Sequence, residues 1–243
     1  MSLPARLMNV FAVPGDVFAE VKAAPVSHAN WLVPAILLMV VSWLAAFFIF
    51  SQPAIQQQIS ELAQKGVEKQ IQKMKVTGEQ AEKMRQAAEK FGSIGSKVSA
   101  VVFPLVVALG SPFFWGFILW LGSKVFKGPF RFLKAVEVAG LAGTIGVLHS
   151  LIKSLLVLAL GNVFASPSLA LLVKEFNQEN WVHGLLGAVN PFTFWYLAVL
   201  AIGLARLGGI GTARSAIWVF GIWAVITGFF MGVGFAMRAA FGG

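Results

Sequence analysis

The chain has no cysteine, one tyrosine, three histidines and ten acidic residues among its 243 positions. Without cysteine there is neither a disulfide nor a thiolate metal site, and the redox compartment leaves no mark on the sequence. So few histidines and acids, scattered as they are, supply little for metal or acid–base chemistry. Neither a Walker-type phosphate loop nor an H-E-x-x-H helix is present. No enzymatic activity, no cofactor and no metal site is therefore expected. Gly208-Gly209-Ile210-Gly211 is glycine-rich, but no strand precedes it, and it reads as a tight loop between two helices. Charge of either sign is also scarce: 12% of residues are charged, against about 25% in a soluble domain. That leaves too little polar surface to coat a globule in water.

What remains is apolar. Hydrophobic residues make up 58% of the chain, with 22 Phe, 8 Trp and 25 Gly, and the mean hydropathy is +0.79. Frequent glycine suits membrane helices, where small residues let backbones approach closely. A net charge of +9 would suggest nucleic acid in a soluble protein. Here the basic residues border apolar runs, where they set orientation and meet anionic headgroups, so membrane lipids and not nucleic acid are the expected partner. Met1 to His28 is interrupted by Pro4, Pro14 and Pro25 and carries Asp16 and Glu20. It lacks the apolar core of a secretory signal and is expected to be retained.

The apolar runs predict an all-α integral membrane protein, a bundle of five transmembrane helices at about 31–50, 98–121, 138–160, 191–205 and 213–237. Residues 1–30 form a short N-terminal interfacial segment, with Leu7, Phe11, Phe18, Arg6 and Lys22 suited to the headgroup layer. Pro34 is placed in the first turn of span one, where a missing N–H costs little. Residues 52–97 differ in kind, with eight Lys or Arg and five Glu. Ile55, Ile59, Leu62, Ile71 and Met74 recur at helical spacing, and Thr77 with Gln80 fits a capping box that starts a second helix through Phe91. Ala81, Met84, Ala88 and Phe91 give that helix its stripe. An extramembrane helical hairpin between spans one and two is predicted. Between spans three and four, Ser166-Pro167 is positioned to cap a short surface helix, with Trp181 and His183 near the headgroups.

Pro104 and Pro112 fall inside span two, where each removes a helical hydrogen bond and predicts a kink, packed or lining a cavity. Lys124, Lys127, Arg131 and Lys134 crowd the next loop as a basic membrane-surface cluster. With the N-terminus inside, the short inner segments hold these four plus Arg6, Lys22, Arg206 and Arg214, and the outer ones Lys174 and Arg238 apart from the hairpin. The N-terminus is thus expected in the cytoplasm and the C-terminus outside, in a bacterial inner membrane.

Ionisable residues inside a span are costly and often functional. His149 and Lys153 lie one turn apart in span three, beside Ser150 and Ser154. They form either a proton or anion site, or a structural face on which Lys153 snorkels and His149 bonds a neighbouring helix. Glu137 is read as lying at the helix end on a different face. In span five Ala224, Gly228, Gly232 and Ala236 recur every four positions as a ridge for close helix packing. Gly140, Gly143 and Thr144 of span three are the proposed facing groove, with homo-oligomerisation as the alternative use.

Three stretches resemble a known family. Asn9-Val10-Phe11, Pro14, Phe18, Val21-Lys22, Pro25, Trp31 and Pro34 resemble the entry to the Yip-domain family, named for Ypt/Rab-interacting proteins. Val76-Thr77-Gly78-Glu79-Gln80 leading to Met84 and Phe91 is similar to the hairpin of its bacterial members. Asn190-Pro191-Phe192-Thr193-Phe194-Trp195, followed by Ile202-Gly203-Leu204-Ala205, resembles the start of its fourth span. The resemblance implies five spans, a cytoplasmic N-terminus and an outside or lumenal C-terminus, and supplies no catalytic residues. Eukaryotic relatives act in vesicle traffic and bind Rab-type GTPases through a longer N-terminal region than the thirty or so residues here. Two functions follow as expectations. One is a non-enzymatic membrane protein that organises lipids or protein partners. The other is a small transporter, channel or lipid-translocating protein, with a pathway near the Pro112 kink and the His149/Lys153 face.

Overall fold

A computed structural model describes residues 1–174, 176, 177 and 180–241, with backbone alone at 89–94, 235 and 238–241. Phe91 and Arg238, both used in the sequence reading, lie outside the described side chains. The helices are α1 (Leu3–Ala12), α2 (Pro14–Ala23), α3 (Ala29–Phe50), α4 (Pro53–Met74), α5 (Glu79–Val125), α6 (Phe132–Leu160), α7 (Trp181–Ala188), α8 (Pro191–Gly208) and α9 (Thr212–Phe241), with a single 3₁₀ turn at Leu169–Leu172. No strand occurs among the described residues. Prolines open α2, α4 and α8, where the absent N–H would have had no helical partner.

Among the described residues, five helices are long and apolar enough to cross a membrane: Ala29–Phe50, Gly95–Val125, Phe132–Leu160, Pro191–Gly208 and Thr212–Gly234. Their outer faces fit a lipid solvent, since Phe47 is 71% and Ile217 74% exposed. The central helix is α6, packed by α1, α2, α3, α5 and α8. Glycine sets two of the close approaches. A Cβ at Gly140 of α6 would lie 2.2 Å from Trp31 Cα of α3, and one at Gly203 of α8 would lie 2.2 Å from Val138 Cγ1.

Four local features differ from the sequence reading. Pro34 lies in the second turn of α3, not the first, because the helix starts at Ala29; the carbonyl it deprives of a donor is that of Asn30. Thr77 caps nothing: Gly78, at φ 65°, is the N-cap of α5 with no side-chain bond, and α5 runs unbroken for 47 residues from hairpin to bundle. The 3₁₀ turn is capped by Ser168, whose Oγ accepts from Ala170 N at 3.3 Å, and not by Ser166. Residues 1–30 pack onto the bundle. Val10, Val17, Phe18 and Val21 are fully buried, closing one end of the bundle over α6 and α8. The apolar face of that segment had been given to lipid, yet its partner is protein.

In the hairpin, Ile55, Ile71 and Ala81 are buried, whereas Leu62 and Met74 stay exposed. Its base is tied to the bundle. Ile55 packs with Val157 and Ala165, and Gln58 Nε2 donates to the Gly161 carbonyl at 2.5 Å. At the opposite end the α5–α6 and α8–α9 loops touch: a Cβ at Gly128 would fall 2.3 Å from the Gly208 carbonyl oxygen. Gly209, at φ 62°, ends α8 in a left-handed turn.

Candidate functional site

The most buried charged group among the described residues is Glu137. It sits in the second turn of α6, fully buried, with Asn30 of α3 and Lys134 of α6 nearly as covered. Lys134 Nζ lies 2.9 Å from Glu137 Oε1 and donates to the Pro25 carbonyl at 3.0 Å. Asn30 Nδ2 donates to Glu137 Oε2 at 2.5 Å. Arg6 Nη1 reaches Asn30 Oδ1 at 3.4 Å, while its Nη2 lies 3.4 Å from Glu20 Oε1, to which the Met1 amino group also pairs. The cluster therefore joins α1, α2, the α2–α3 link, α3 and α6. A buried carboxylate is tolerable only when paired and hydrogen-bonded; here Oε2 accepts the Asn30 hydrogen bond and Oε1 faces the Lys134 ammonium as an ion pair without a hydrogen bond. With cation and anion each engaged inside the protein, the cluster acts as a clamp.

Sequence reasoning missed this cluster. Glu137 had been set aside as a helix-end residue, and Lys134 counted as a surface cation. Lys134 is instead 8% exposed, because the α2–α3 link folds over it. Two signals were available: the three-residue spacing of Lys134 and Glu137, and an asparagine in the first turn of an otherwise apolar span. Of the other three basic residues, Lys124 rides over the Trp120 ring at 5.4 Å, and Lys127, at φ 57°, makes the turn after α5. Arg131 is the N-cap of α6, without a side-chain bond.

The His149 face is built differently from an isolated polar pair. His149 Nε2 is 3.0 Å from Asn190 Nδ2, while Asn190 Oδ1 accepts from Phe192 N at 2.9 Å. Asn190 thus caps α8 and donates its amide to the histidine, so Nε2 is the acceptor and Nδ1 carries the proton. The imidazole also stacks on Phe192 at 5.5 Å. Ser150 Oγ lies 3.4 Å from Ser42 Oγ of α3, and Ser154 Oγ donates back to the Ser150 carbonyl at 2.7 Å. Lys153 is exposed on the outer surface of α6. His149 and the two serines are therefore engaged within the bundle, while Lys153 is exposed one turn along α6 from His149.

Pro104 and Pro112 both lie within α5, which stays helical through them. Pro112 is buried, and its neighbour Phe113 meets Trp31 edge-on at 5.0 Å. His149 is level with Ser42, eleven residues further along α3 than Trp31. At 1.5 Å per residue the two features stand about 16 Å apart along the bundle. The structure does not bring them to a common site.

The ridge Ala224, Gly228, Gly232, Ala236 is exposed, and a Cβ at Gly228 or Gly232 would meet nothing within 4 Å. Its proposed groove on α6 is used elsewhere: Gly140 receives Trp31, and α9 packs on α8, α5 and α7. The correction is geometric, because α8 stands between α9 and α6.

The hairpin carries its own ion pair. Arg85 Nε donates to Glu68 Oε1 at 2.6 Å, and Nη2 to Oε2 at 3.2 Å. The hydrogen bond from Arg85 holds the Glu68 carboxyl below its ordinary range. The pair is exposed, so it links α4 to α5 only weakly. No group of three or more potential metal ligands occurs among the described residues.

A family model described as the Yip1 domain matches residues 8–234 of the chain. No curated protein and no solved structure gives a significant match.

Proposed function

The chain belongs to the Yip1 domain family, and from that premise we propose that it is a non-enzymatic multi-pass membrane protein that organises membrane lipids or protein partners. The supporting observation is the use made of its buried polar groups. Asn30, Lys134 and Glu137 bond one another and the Pro25 carbonyl, and His149 bonds the α8 cap. These contacts hold a rigid bundle that carries two unlike extramembrane parts, the α1–α2 cap at one end and the α4–α5 hairpin at the other. Such a body suits presentation of surfaces better than passage of a solute. In this reading the cap faces the cytoplasm, the hairpin and C-terminus face outside, and the membrane is a bacterial inner membrane. The basic residues around the cap end support that orientation.

The experiment is a paired one. The protein is purified in mild detergent and its retained lipids and proteins are identified; the same preparation is then reconstituted for flux of ions and labelled lipid. Retained partners with no flux above empty liposomes are expected. Flux that Lys153→Leu abolishes would overturn the proposal in favour of a transporter.

A further inference from the structure

Two cavities meet where the hairpin joins the bundle. One, of about 600 Å³, is a slot between α4 and α5. The other, of about 510 Å³, is a groove between α3 and α5 lined by Trp43, Ala46, Phe47, Ala100 and Val101. Phe50 and Lys97 line both, so slot and groove are continuous. Their meeting point is where α3 ends at Phe50 and where α5 turns continuously apolar after Lys97. The groove therefore runs along the hydrocarbon, and the slot rises out of it.

The slot is amphiphilic along its length. Ile59, Ala63 and Val67 form one wall at four-residue steps, and Gln56, Ser60 and Gln64 form a parallel polar one. Charge is distributed unevenly. Glu68, Glu82 and Arg85 close the far end, where they pair among themselves at 2.6 and 3.5 Å. At twelve residues from Arg85, Lys97 stands about 18 Å away along α5. It is exposed and has no ion-pair partner among the described residues. Among the described residues, the end nearest the membrane thus offers the Lys97 cation, an amide, hydroxyls and an apolar groove, and no carboxylate lines it.

We infer that this junction binds a glycerophospholipid with an anionic phosphate and an uncharged, hydroxylated headgroup. The phosphate sits on Lys97, the headgroup hydroxyls donate to Gln56 Oε1 and bond Ser60, and one acyl chain lies along the α3–α5 groove; Gln56 Nε2 is already engaged by the Phe50 carbonyl. A zwitterionic headgroup fits less well, because its ammonium would need a carboxylate, and those that line the slot among the described residues, Glu68 and Glu82, are paired with Arg85 at its far end. The groove is held open from inside: Trp43 Nε1 donates to the Val101 carbonyl at 3.0 Å, which fixes the indole against α5. The inference rests on the lipid-organising function and gives it a ligand and a place.

Native mass spectrometry of the full chain in detergent, titrated separately with phosphatidylglycerol and phosphatidylethanolamine, provides the test. Tighter retention of phosphatidylglycerol is expected, weakened about fivefold by Lys97→Gln. Ala100→Phe, which fills the groove, should weaken both lipids. Lys124→Gln, at the other end of the bundle, should change nothing. Equal binding of the two lipids, or a Lys97→Gln protein that binds like the parent, would overturn the site while leaving a lipid-organising role standing. Failure of the parent protein to retain either lipid would remove both.

Discussion

Replacing Lys134 by methionine should destabilise the bundle far more than a surface substitution, and replacing its partner as well should restore most of the loss. Glu137 is fully buried, with Lys134 Nζ at 2.9 Å and the Asn30 amide at 2.5 Å as its partners. Lys134→Met leaves a buried carboxylate with the amide alone. Breaking one half of a buried pair costs about 3–5 kcal/mol, which shifts the folding equilibrium at least a hundredfold. In Lys134→Met/Glu137→Met both charges go and similar volume remains, so the desolvation penalty disappears with the attraction. Such double replacements are often neutral or stabilising by about 1–4 kcal/mol, although the freed Asn30 amide and Pro25 carbonyl offset part of this. The assay is reversible unfolding in mixed micelles, followed by tryptophan fluorescence, across the two single variants and the double. A double variant as unstable as the sum of the singles would refute the reasoning, as would a Lys134→Met single variant that unfolds like the parent.

Other residues make sharper geometric claims. Gly140→Ala places a Cβ 2.2 Å from Trp31 Cα, so α3 must part from α6 at a cost of about 1–3 kcal/mol; unaltered thermal unfolding would contradict this packing. Gly228→Leu should leave the melting profile of the monomer unchanged, because nothing lies within 4 Å of its Cβ; a lower melting temperature for the monomer would show that the ridge is packed after all. The Glu68–Arg85 link should weaken with acid. Because the folded carboxyl titrates below its ordinary range, its contribution is full above that range and is lost as the pH falls through the lowered value. Distances between spin labels at Lys65→Cys and Gln86→Cys should broaden in acid, and in Glu68→Gln they should be broad already at neutral pH. A distribution unmoved by either change would show that the pair does not hold α4 to α5.

The spans and the hairpin could be read from the sequence because hydrocarbon leaves a backbone no partner but itself, so each apolar run must be a helix whatever its neighbours are. Neighbour identity was far less legible. The stripe at Leu7, Phe11 and Phe18 has the same pattern whether it faces lipid or α6 and α8, since both are apolar solvents for a side chain. The α9 ridge misled for a related reason: small residues permit close approach without saying what approaches. Glu137 was obscured by position, since a carboxylate near a helix end looks hydrated until a second segment, here the stretch that holds Pro25 and Asn30, folds across it. Of the His149 face, the sequence suggested a bond to a neighbouring helix, and that bond is made by Asn190. The asparagine escaped notice because its Asn-Pro motif already had an explanation as a helix start.

The α1–α2 cap with the α5–α6 loop, and the α4–α5 hairpin, occupy opposite ends of one helical bundle. The chain has no native cysteine, so single substitutions report without background. An impermeant maleimide applied to intact cells should label Glu79→Cys and spare Gly128→Cys until the membrane is opened. Labelling of both from the same side would contradict the bundle itself, and labelling of Gly128→Cys alone would reverse its proposed orientation.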